Sequence, residues 1–403
     1  MDDFYRSKVA NGEMAGIVIL IARHGQIVHH SAIGSANLAT NEPMRQETLF
    51  RLFSMTRPIT STALMMLYEL GLFQLNDPVS RFIPEFLELR VLRNPDSELE
   101  DTVPVDRAPT IQDLLCHTAG FSLGLGIDPY NAQLIRANIF GREVPLAEMM
   151  HKIAKIPLRY QPGTRWEYSL SSDIQARLVE VLSGIPFEEF LNQRLFTPLG
   201  MNDTGFWLPN SQRRRLSAVH WEKDGQLVTW DDANGHPANI HFQNGDGSTL
   251  IEPWASINDV DSHKRKGGCF GLIATAEDYW RFAQMIANGG ELSGTRILSP
   301  QVVDYMIKNH VASVDSTALA KCLVVKGGIG FGLGFASVED PVTAGFINSP
   351  GSIFWDGSGT TLWWADRKEH LVVVAMTQYM GAGPNLVVLR PQVRELVYSA
   401  LLN

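Results

Sequence analysis

The sequence contains little charge, few cysteines and no long apolar segment. Charged residues make up 19% of the 403 residues, below the roughly 25% that is usual in globular proteins. The three cysteines, Cys116, Cys269 and Cys322, are odd in number and far apart, which excludes a disulfide framework and a cysteine-based zinc site. The longest apolar runs, such as 17–22 and 371–376, are much shorter than the roughly 20 residues of a membrane-spanning helix. The sequence therefore predicts no membrane span.

An excess of positive charge is also missing. The chain has 34 Lys and Arg against 43 Asp and Glu, a net charge of −9, and a pI of about 5.7. Nucleic-acid-binding proteins are usually basic, because the neutralisation of phosphates dominates their affinity. The N-terminal residues are acidic and polar, without the apolar stretch of a signal peptide. We therefore predict a cytoplasmic protein that does not bind nucleic acid.

Strand-like segments lie near both ends of the chain, and helix-like segments lie between them. Residues 16–36 read as a β-hairpin around the His24-Gly25 turn. Extended segments recur at 329–338, 360–366 and 370–378, before a final helix from about 391 to 401. This order predicts an α/β (α+β) fold, with one antiparallel sheet built from both termini and flanked by helices. The predicted domains are a discontinuous sheet domain, 1–75 with 270–403, and an inserted, mainly helical lobe, 76–269.

Two serines are candidate nucleophiles. Ser54 opens a predicted helix over residues 55–70, where free backbone N–H groups and the helix dipole favour negative charge. Taken alone, Ser54 fits an ordinary N-cap better than a nucleophile, because this is the commonest role of a serine before a helix. Ser122 lies in a Gly-x-Ser-x-Gly sequence, but the segment before it is helix-like, whereas a nucleophile elbow needs a strand there. Ser122 is therefore predicted not to be the nucleophile.

The sequence around Ser54 resembles the serine β-lactamase-like superfamily, and more closely its class C and family VIII carboxylesterase branch. Further similar segments follow in the family's order along much of the chain. These segments are 75–79, 111–120, 162–169, 198–204, 268–290, 330–335 and 355–360. The resemblance implies the β-lactamase/transpeptidase-like fold, which agrees with the strand order argued above.

By this resemblance, Ser54 is the acylated nucleophile and Tyr168 is its partner in proton transfer. The backbone N–H groups of Ser54 and Ser358 would form the oxyanion hole that stabilises a tetrahedral intermediate. The substrate-binding positions implied by the family's second and third motifs are Ser169, Leu170, Trp355, Asp356 and Gly357.

The sequence departs from the family at position 57, where Arg57 replaces the lysine of Ser-x-x-Lys. A guanidinium stays protonated in proteins, so Arg57 cannot accept the Ser54 proton. One hypothesis is that the positive charge of Arg57 holds Tyr168 as a phenolate, which would make Tyr168 the sole proton shuttle. The alternative is that Arg57 abolishes acylation and leaves a non-catalytic binding scaffold.

Two further departures concern the substrate. Leu170 stands where lactamases and peptidases have an asparagine, and Trp355 with Asp356 replaces a cationic lysine. An acidic residue there would repel a substrate carboxylate. These changes argue against β-lactams and peptide C-termini and favour uncharged esters.

The prediction is thus a serine hydrolase, a carboxylesterase that cleaves small uncharged esters through an acyl-Ser54 intermediate. An acyltransferase or an amide hydrolase with the same acyl-enzyme is the first alternative, and a pseudoenzyme is the second. No His-Glu-x-x-His motif or carboxylate cluster occurs, so no metal and no cofactor are expected. The expected partner is a small ester or acyl substrate, and a homo-oligomer is left open.

Overall fold

A computed structural model describes residues 1–123, 129–141, 143–230, 242–243, 249–250, 264, 266–380 and 384–401. The helices of this part of the chain are α1 (Asp2–Ala10), α2 (Thr56–Glu69), α3 (Ile111–Cys116), α4 (Pro129–Arg136), α5 (Leu146–Ile153), α6 (Ser171–Ser183), α7 (Phe187–Leu191), α8 (Thr197–Leu199), α9 (Ala276–Ala287), α10 (Pro300–Met306), α11 (Thr317–Leu323), α12 (Pro341–Ala344) and α13 (Pro384–Ser399).

The strands are mostly short outside one large sheet. They are β1 (Gly16–Arg23), β2 (Gln26–Asn37), β3 (Glu42–Pro43), β4 (Phe50–Arg51), β5 (Arg90–Leu92), β6 (Thr102–Pro104), β7 (His220–Lys223), β8 (Gln226–Thr229), β9 (Phe242–Gln243), β10 (Thr249–Leu250), β11 (Ile273–Ala274), β12 (Glu291–Leu292), β13 (Thr295–Arg296), β14 (Ile329–Phe331), β15 (Ala336–Val338), β16 (Ile353–Gly357), β17 (Thr361–Asp366) and β18 (Leu371–Met376).

One eight-stranded sheet organises the molecule. Its strand order is β14-β15-β16-β17-β18-β1-β2-β3, and neighbouring strands pair in antiparallel fashion. Strand β1 lies beside β18, with Val18 opposite Met376, so the first and last strands of the chain meet inside the sheet. The predicted fold class, with an antiparallel sheet built from both termini, is confirmed. The boundaries predicted for the inserted lobe stay a prediction.

Helices cover both faces of the sheet. All residues of β17 and β18 are buried, and successive side chains of a strand point to opposite faces. Trp363 packs against Tyr279 of α9, with ring centroids 5.9 Å apart. The next residue, Trp364, stacks on Tyr398 of α13 at 6.4 Å. The two adjacent tryptophans therefore anchor α9 and α13 to opposite faces.

The helix that follows Ser54 lies deep in the protein. Every residue of α2 from Thr56 to Leu67 is buried, and α2 packs closely against α6. A helix that is enclosed on all sides is held by its surroundings along its whole length. This enclosure gives the segment that carries Ser54 a rigid support.

Two details of the predicted elements are wrong. The extended segment 329–338 is two strands, β14 and β15, which pair with each other. The turn between them includes Gly334 at φ +108°, where a Cβ atom would lie 2.3 Å from Cβ of Ser61. The final helix begins at residue 384, and Pro391 lies inside it, although proline usually begins a helix because it lacks an N–H.

None of the described helices is long and apolar enough to cross a bilayer.

Candidate active site

Ser54 lies where a strand turns into a buried helix. A single 3₁₀ turn, Phe53–Met55, joins β4 to α2, and Ser54 is partly exposed while its neighbours are buried. Phe53 has φ of +47°, a left-handed conformation that is costly for a residue with a side chain. Such strain persists only where the surroundings impose it, and it often marks functional sites.

Arg57 lies one turn into α2, and its guanidinium is buried over the ring of Tyr168. Arg57 is 1% exposed, and its Cζ lies 4.1 Å from the centre of the Tyr168 ring. Its Nη1 donates to the Ser169 carbonyl at 2.7 Å and to Ser172 Oγ at 3.3 Å. The cation therefore faces the π-surface of the ring, an arrangement that is attractive in itself.

The Tyr168 hydroxyl is buried, although another part of the residue reaches the surface. Within the described part of the chain, this hydroxyl has no partner that meets hydrogen-bond geometry. The Ser54 side chain nevertheless lies close enough to favour a Tyr168 phenolate by hydrogen bonding. The two hydroxyl groups are therefore neighbours.

The structure argues against the phenolate hypothesis. Burial raises the pKa of Tyr168 above its usual value of 10, and the lowering by the Arg57 charge and the Ser54 hydrogen bond is weaker. The Arg57 charge lowers the pKa of Tyr168 only weakly because the guanidinium lies over the ring face and makes no hydrogen bond to the phenol oxygen. Tyr168 is therefore a neutral phenol at physiological pH.

Arg57 stays a cation, as its chemistry predicts. Burial lowers the pKa of Arg57, but charge on Cys269, Tyr168 and Asp173 raises it, and the net direction is upward. The upward direction means that Arg57 keeps its proton at neutral pH. Arg57 therefore cannot take the proton from Ser54.

The third-motif strand, β16, presses against the segment before Ser54. A Cβ atom on Gly357 would lie 2.3 Å from the Leu52 carbonyl oxygen, and one on Gly359 would lie 2.6 Å from the Phe53 ring. Ser358, between these two glycines, is exposed. The turn that contains Ser358 therefore contacts the residues directly before Ser54, as an oxyanion hole formed by both serines would require.

Trp355 of the same strand contributes to an aromatic cluster around Tyr168. The ring of Trp355 is 5.6 Å from Tyr168 and 5.4 Å from Phe331, and Trp166 stacks on Tyr168 at 6.0 Å. Trp355 is 2% exposed, whereas Asp356 is half-buried. The structure thus brings together Ser54, Arg57, Tyr168 and the third-motif strand.

Comparison with known proteins agrees with this geometry. A family model described as Beta-lactamase matches residues 1–398. The chain belongs to the beta-lactamase family. The predicted resemblance to the serine β-lactamase-like superfamily is therefore confirmed, and the family VIII carboxylesterase branch stays a prediction.

Relatives within the family include enzymes that act on esters. Esterase EstB of Burkholderia gladioli is 30% identical over 407 residues, covering 98% of this chain and 94% of EstB. The solved structure of EstCE1, described as a hydrolase with promiscuous acyltransferase activity, has a TM-score of 0.79 and 26% identity, covering 98% and 97% of the two chains. Simvastatin synthase LovD of Aspergillus terreus has a TM-score of 0.78 over 98% and 96%; at 21% identity, it supports the fold alone.

His117 is a site residue that the sequence reasoning did not single out. It follows α3 with φ of +59°, it is 2% exposed, and its ring packs edge-on against Tyr168 at 5.3 Å. Its Nδ1 lies 2.9 Å from Ser169 Oγ. Burial, and then the Arg57 charge, hold the pKa of His117 well below its usual 6.5, so the imidazole is neutral. The sequence feature that could have indicated His117 is its position directly after the apolar residues 114–116 at the end of a helix.

Two of the predicted substrate-binding residues, which directly follow Tyr168 in the chain, are buried. Ser169 and Leu170 are each 1% exposed. The Ser169 carbonyl accepts from Arg57, and its hydroxyl lies 2.7 Å from Ser171 Oγ. These contacts favour a supporting role for Ser169, and direct substrate contact by either residue stays a prediction.

Ser122 lies in a different environment from Ser54. It is 4% exposed, and its Oγ donates to Asn131 Oδ1 at 3.3 Å. Helix α3 and a loop precede it instead of a strand, as the sequence predicted. Gly124, the last residue of the elbow-like sequence, lies outside the described residues. Ser122 thus lacks the strand-to-helix setting of a nucleophile elbow.

Proposed function

We propose that this protein is a serine carboxylesterase that cleaves small uncharged esters through an acyl intermediate on Ser54. Its family and its esterase relatives support an esterase-type serine hydrolase, so the sequence-based prediction is confirmed at this level. The observation that carries the finer proposal is the buried Tyr168 hydroxyl beside the Ser54 side chain, where burial raises the pKa of the phenol.

A neutral phenol can act as a shuttle if two protons move together. Ser54 Oγ attacks the ester carbonyl carbon while its proton passes to the Tyr168 oxygen. The original Tyr168 proton passes at the same time to the oxygen of the departing alcohol, so no free phenolate forms. The C–O bond to the alcohol breaks, and the acyl group remains on Ser54. This concerted transfer removes the need for a group with a pKa near 7, which neither Tyr168 nor Arg57 provides.

Deacylation reverses the proton path. Water attacks the acyl carbon and gives a proton to Tyr168, and Tyr168 returns its own proton to Ser54 Oγ. In both steps the backbone N–H groups of Ser54 and Ser358 would stabilise the carbonyl oxygen as it gains negative charge. Arg57 supplies positive charge beneath the Tyr168 ring and holds the Ser169 carbonyl, which fixes the Tyr168 backbone.

The proposed preference for uncharged esters rests on the third motif. Trp355 and the half-buried Asp356 occupy the place of the family's cationic lysine, so a substrate carboxylate would meet an acidic residue there. We expect p-nitrophenyl butyrate to have a higher kcat/KM than the anionic mono-p-nitrophenyl succinate. Equal values for these two esters would contradict the preference.

Intact-mass labelling with a fluorophosphonate tests the nucleophile. Wild type and Ser122→Ala should each gain one adduct, and Ser54→Ala should gain none. An adduct that persists in Ser54→Ala would overturn the assignment of Ser54. No adduct on any variant, together with no ester hydrolysis, would favour the non-catalytic scaffold.

Acyl transfer is a second candidate, favoured by the similarity to EstCE1, a hydrolase with promiscuous acyltransferase activity. The same acyl-Ser54 would be attacked by an alcohol instead of water. Adding ethanol to a reaction with p-nitrophenyl butyrate should then yield ethyl butyrate, detected by gas chromatography, and Ser54→Ala should yield none. Amide hydrolysis, the cytoplasmic location and a homo-oligomeric state stay predictions.

A further inference from the structure

The two halves of the proposed oxyanion hole come from segments that are far apart in sequence. Ser54 follows β4, whose last residue is Arg51, and Ser358 precedes Gly359 in the turn after β16. Stabilisation of an oxyanion requires both N–H donors to lie about 2.7–3.1 Å from the same point. Some part of the fold must therefore fix these two segments relative to each other.

The Gln378 side chain binds the segment before Ser54 as a neighbouring strand would. On one side, Arg51 pairs with Ile273 of β11, but the N–H and C=O of Ile273 are bonded to Gly205. The backbone groups of Arg51 therefore point the other way. There the Arg51 N–H donates to Gln378 Oε1 at 3.1 Å, and Gln378 Nε2 donates to the Arg51 carbonyl at 3.2 Å.

The residues on either side of Gln378 hold the turn that contains Ser358. Thr377 Oγ1 and the Tyr379 N–H both donate to the Gly359 carbonyl, at 3.2 and 3.1 Å. A Cβ atom on Gly359 would lie 2.8 Å from Gln378 Nε2, so this turn also lies directly on the Gln378 amide. The short segment 377–379 thus contacts both the segment before Ser54 and the turn that contains Ser358.

We propose that Gln378 is a positioning residue that aligns the Ser54 and Ser358 N–H groups for the transition state. This inference rests on the proposed function, since it assumes that these two N–H groups form the oxyanion hole. Gln378 is 2% exposed, and its amide is bonded to the backbone of Arg51 and Thr377. It therefore acts through the backbone and does not need to touch the substrate.

The test compares Gln378→Met with Gln175→Met, a matched control. Gln175 is a second buried glutamine, 1% exposed, whose amide bonds Ser61 Oγ and the Leu114 carbonyl. Gln378→Met should lower kcat for p-nitrophenyl butyrate by about 10- to 100-fold, less than the loss of a whole oxyanion donor. KM should change less than about twofold, because the interaction is specific to the transition state.

A transition-state analogue separates positioning from general stability. The affinity for an alkylboronic acid, which forms a tetrahedral adduct on a nucleophilic serine, should fall in Gln378→Met by the same factor as kcat/KM. In Gln175→Met both quantities should stay near wild type, whatever the change in Tm. If Gln378→Met does not fold, the nearly isosteric Gln378→Glu, which replaces the Nε2 donor to the Arg51 and Thr377 carbonyls with a carboxyl oxygen, should show the same selective loss.

The failures of this inference and of the proposed function are distinguishable. Normal fluorophosphonate labelling of Ser54, with wild-type kcat and boronate affinity in a folded Gln378 variant, would overturn the role of Gln378 alone. Equal losses in the Gln378 and Gln175 variants would overturn it as well, since they would reflect stability only. Labelling that persists in Ser54→Ala would instead overturn the proposed function.

Discussion

Replacing Tyr168 with phenylalanine should separate stability from activity. The change removes one oxygen and leaves the ring, which stays 4.1 Å from the Arg57 guanidinium, 5.6 Å from Trp355 and 5.3 Å from His117. The lost hydroxyl is buried and makes no hydrogen bond of good geometry to the described residues. No bond that holds the fold is therefore removed, while the proposed proton shuttle is lost.

The expected effects of Tyr168→Phe on stability and on activity differ in sign and in size. A buried hydroxyl without a partner costs about 1–3 kcal/mol, so the free energy of unfolding of Tyr168→Phe should be unchanged or higher by up to this amount. With an unfolding entropy of about 2.1 cal/mol/K per residue, a chain of 403 residues gains roughly 1 °C in Tm per kcal/mol. In contrast, kcat/KM for p-nitrophenyl butyrate should fall about 10²- to 10⁴-fold, the usual contribution of a positioned proton-transfer group.

Tyr130→Phe is the matched control. The Tyr130 hydroxyl donates to the Pro157 carbonyl at 3.0 Å, so its loss should lower the free energy of unfolding by about 0.5–1.5 kcal/mol and leave kcat/KM near wild type. Calorimetry and initial rates measure both quantities for each variant. Wild-type kcat/KM in Tyr168→Phe would refute the shuttle, and a large loss of stability there would refute the conclusion that the hydroxyl holds no structural bond.

Three other changes test the site. Arg57→Lys removes the guanidinium that stacks on the Tyr168 ring and donates to the Ser169 carbonyl and Ser172 Oγ. We expect kcat/KM to fall about tenfold, the effect of roughly 1.4 kcal/mol, and a many-fold rise would mean that the wild type lacks a base. Between about pH 7 and 9, kcat/KM should be independent of pH, because neither Tyr168 nor His117 titrates in this range. Burial raises the pKa of Tyr168, and burial together with the Arg57 charge lowers the pKa of His117. Initial rates in overlapping buffers measure the profile, and a bell shape would contradict this prediction. Gly359→Ala, with its new Cβ 2.6 Å from the Phe53 ring, should lower kcat and also lower the free energy of unfolding by about 1–3 kcal/mol. An unchanged kcat would show that the site tolerates displacement of this turn.

Several features of this protein follow from local sequence patterns. The hairpin that contains β1 and β2 and the helix after Ser54 were predicted from alternation, turn residues and helical spacing, which act over a few residues. Pro391 shows the limit of such rules, because it lies inside α13 where Tyr398 holds that helix against Trp364 of the sheet. Packing between distant segments outweighed a local preference.

The roles around Ser54 depended on contacts that no local pattern contains. The residue type at position 57 excluded a general base from the sequence alone, since guanidinium stays protonated. Whether its charge could ionise Tyr168 depended on burial and on where the guanidinium lies relative to the ring. His117 and Ser169 are 52 residues apart, and their contact arises only when α3 and the segment before α6 are packed together.

The sequence by itself indicated the family, an antiparallel sheet built from both ends of the chain, and Ser54, just before α2, as the candidate nucleophile. Residue type and spacing carry that information, because hydrophobic periodicity and helix termini are local properties. Only the tertiary structure showed that burial raises the pKa of Tyr168, that Arg57 faces its ring, and that the Gln378 amide joins Arg51 across 327 residues of sequence. Desolvation and hydrogen-bond geometry are properties of the surroundings, and the surroundings of each group come from segments that meet only when the chain is folded.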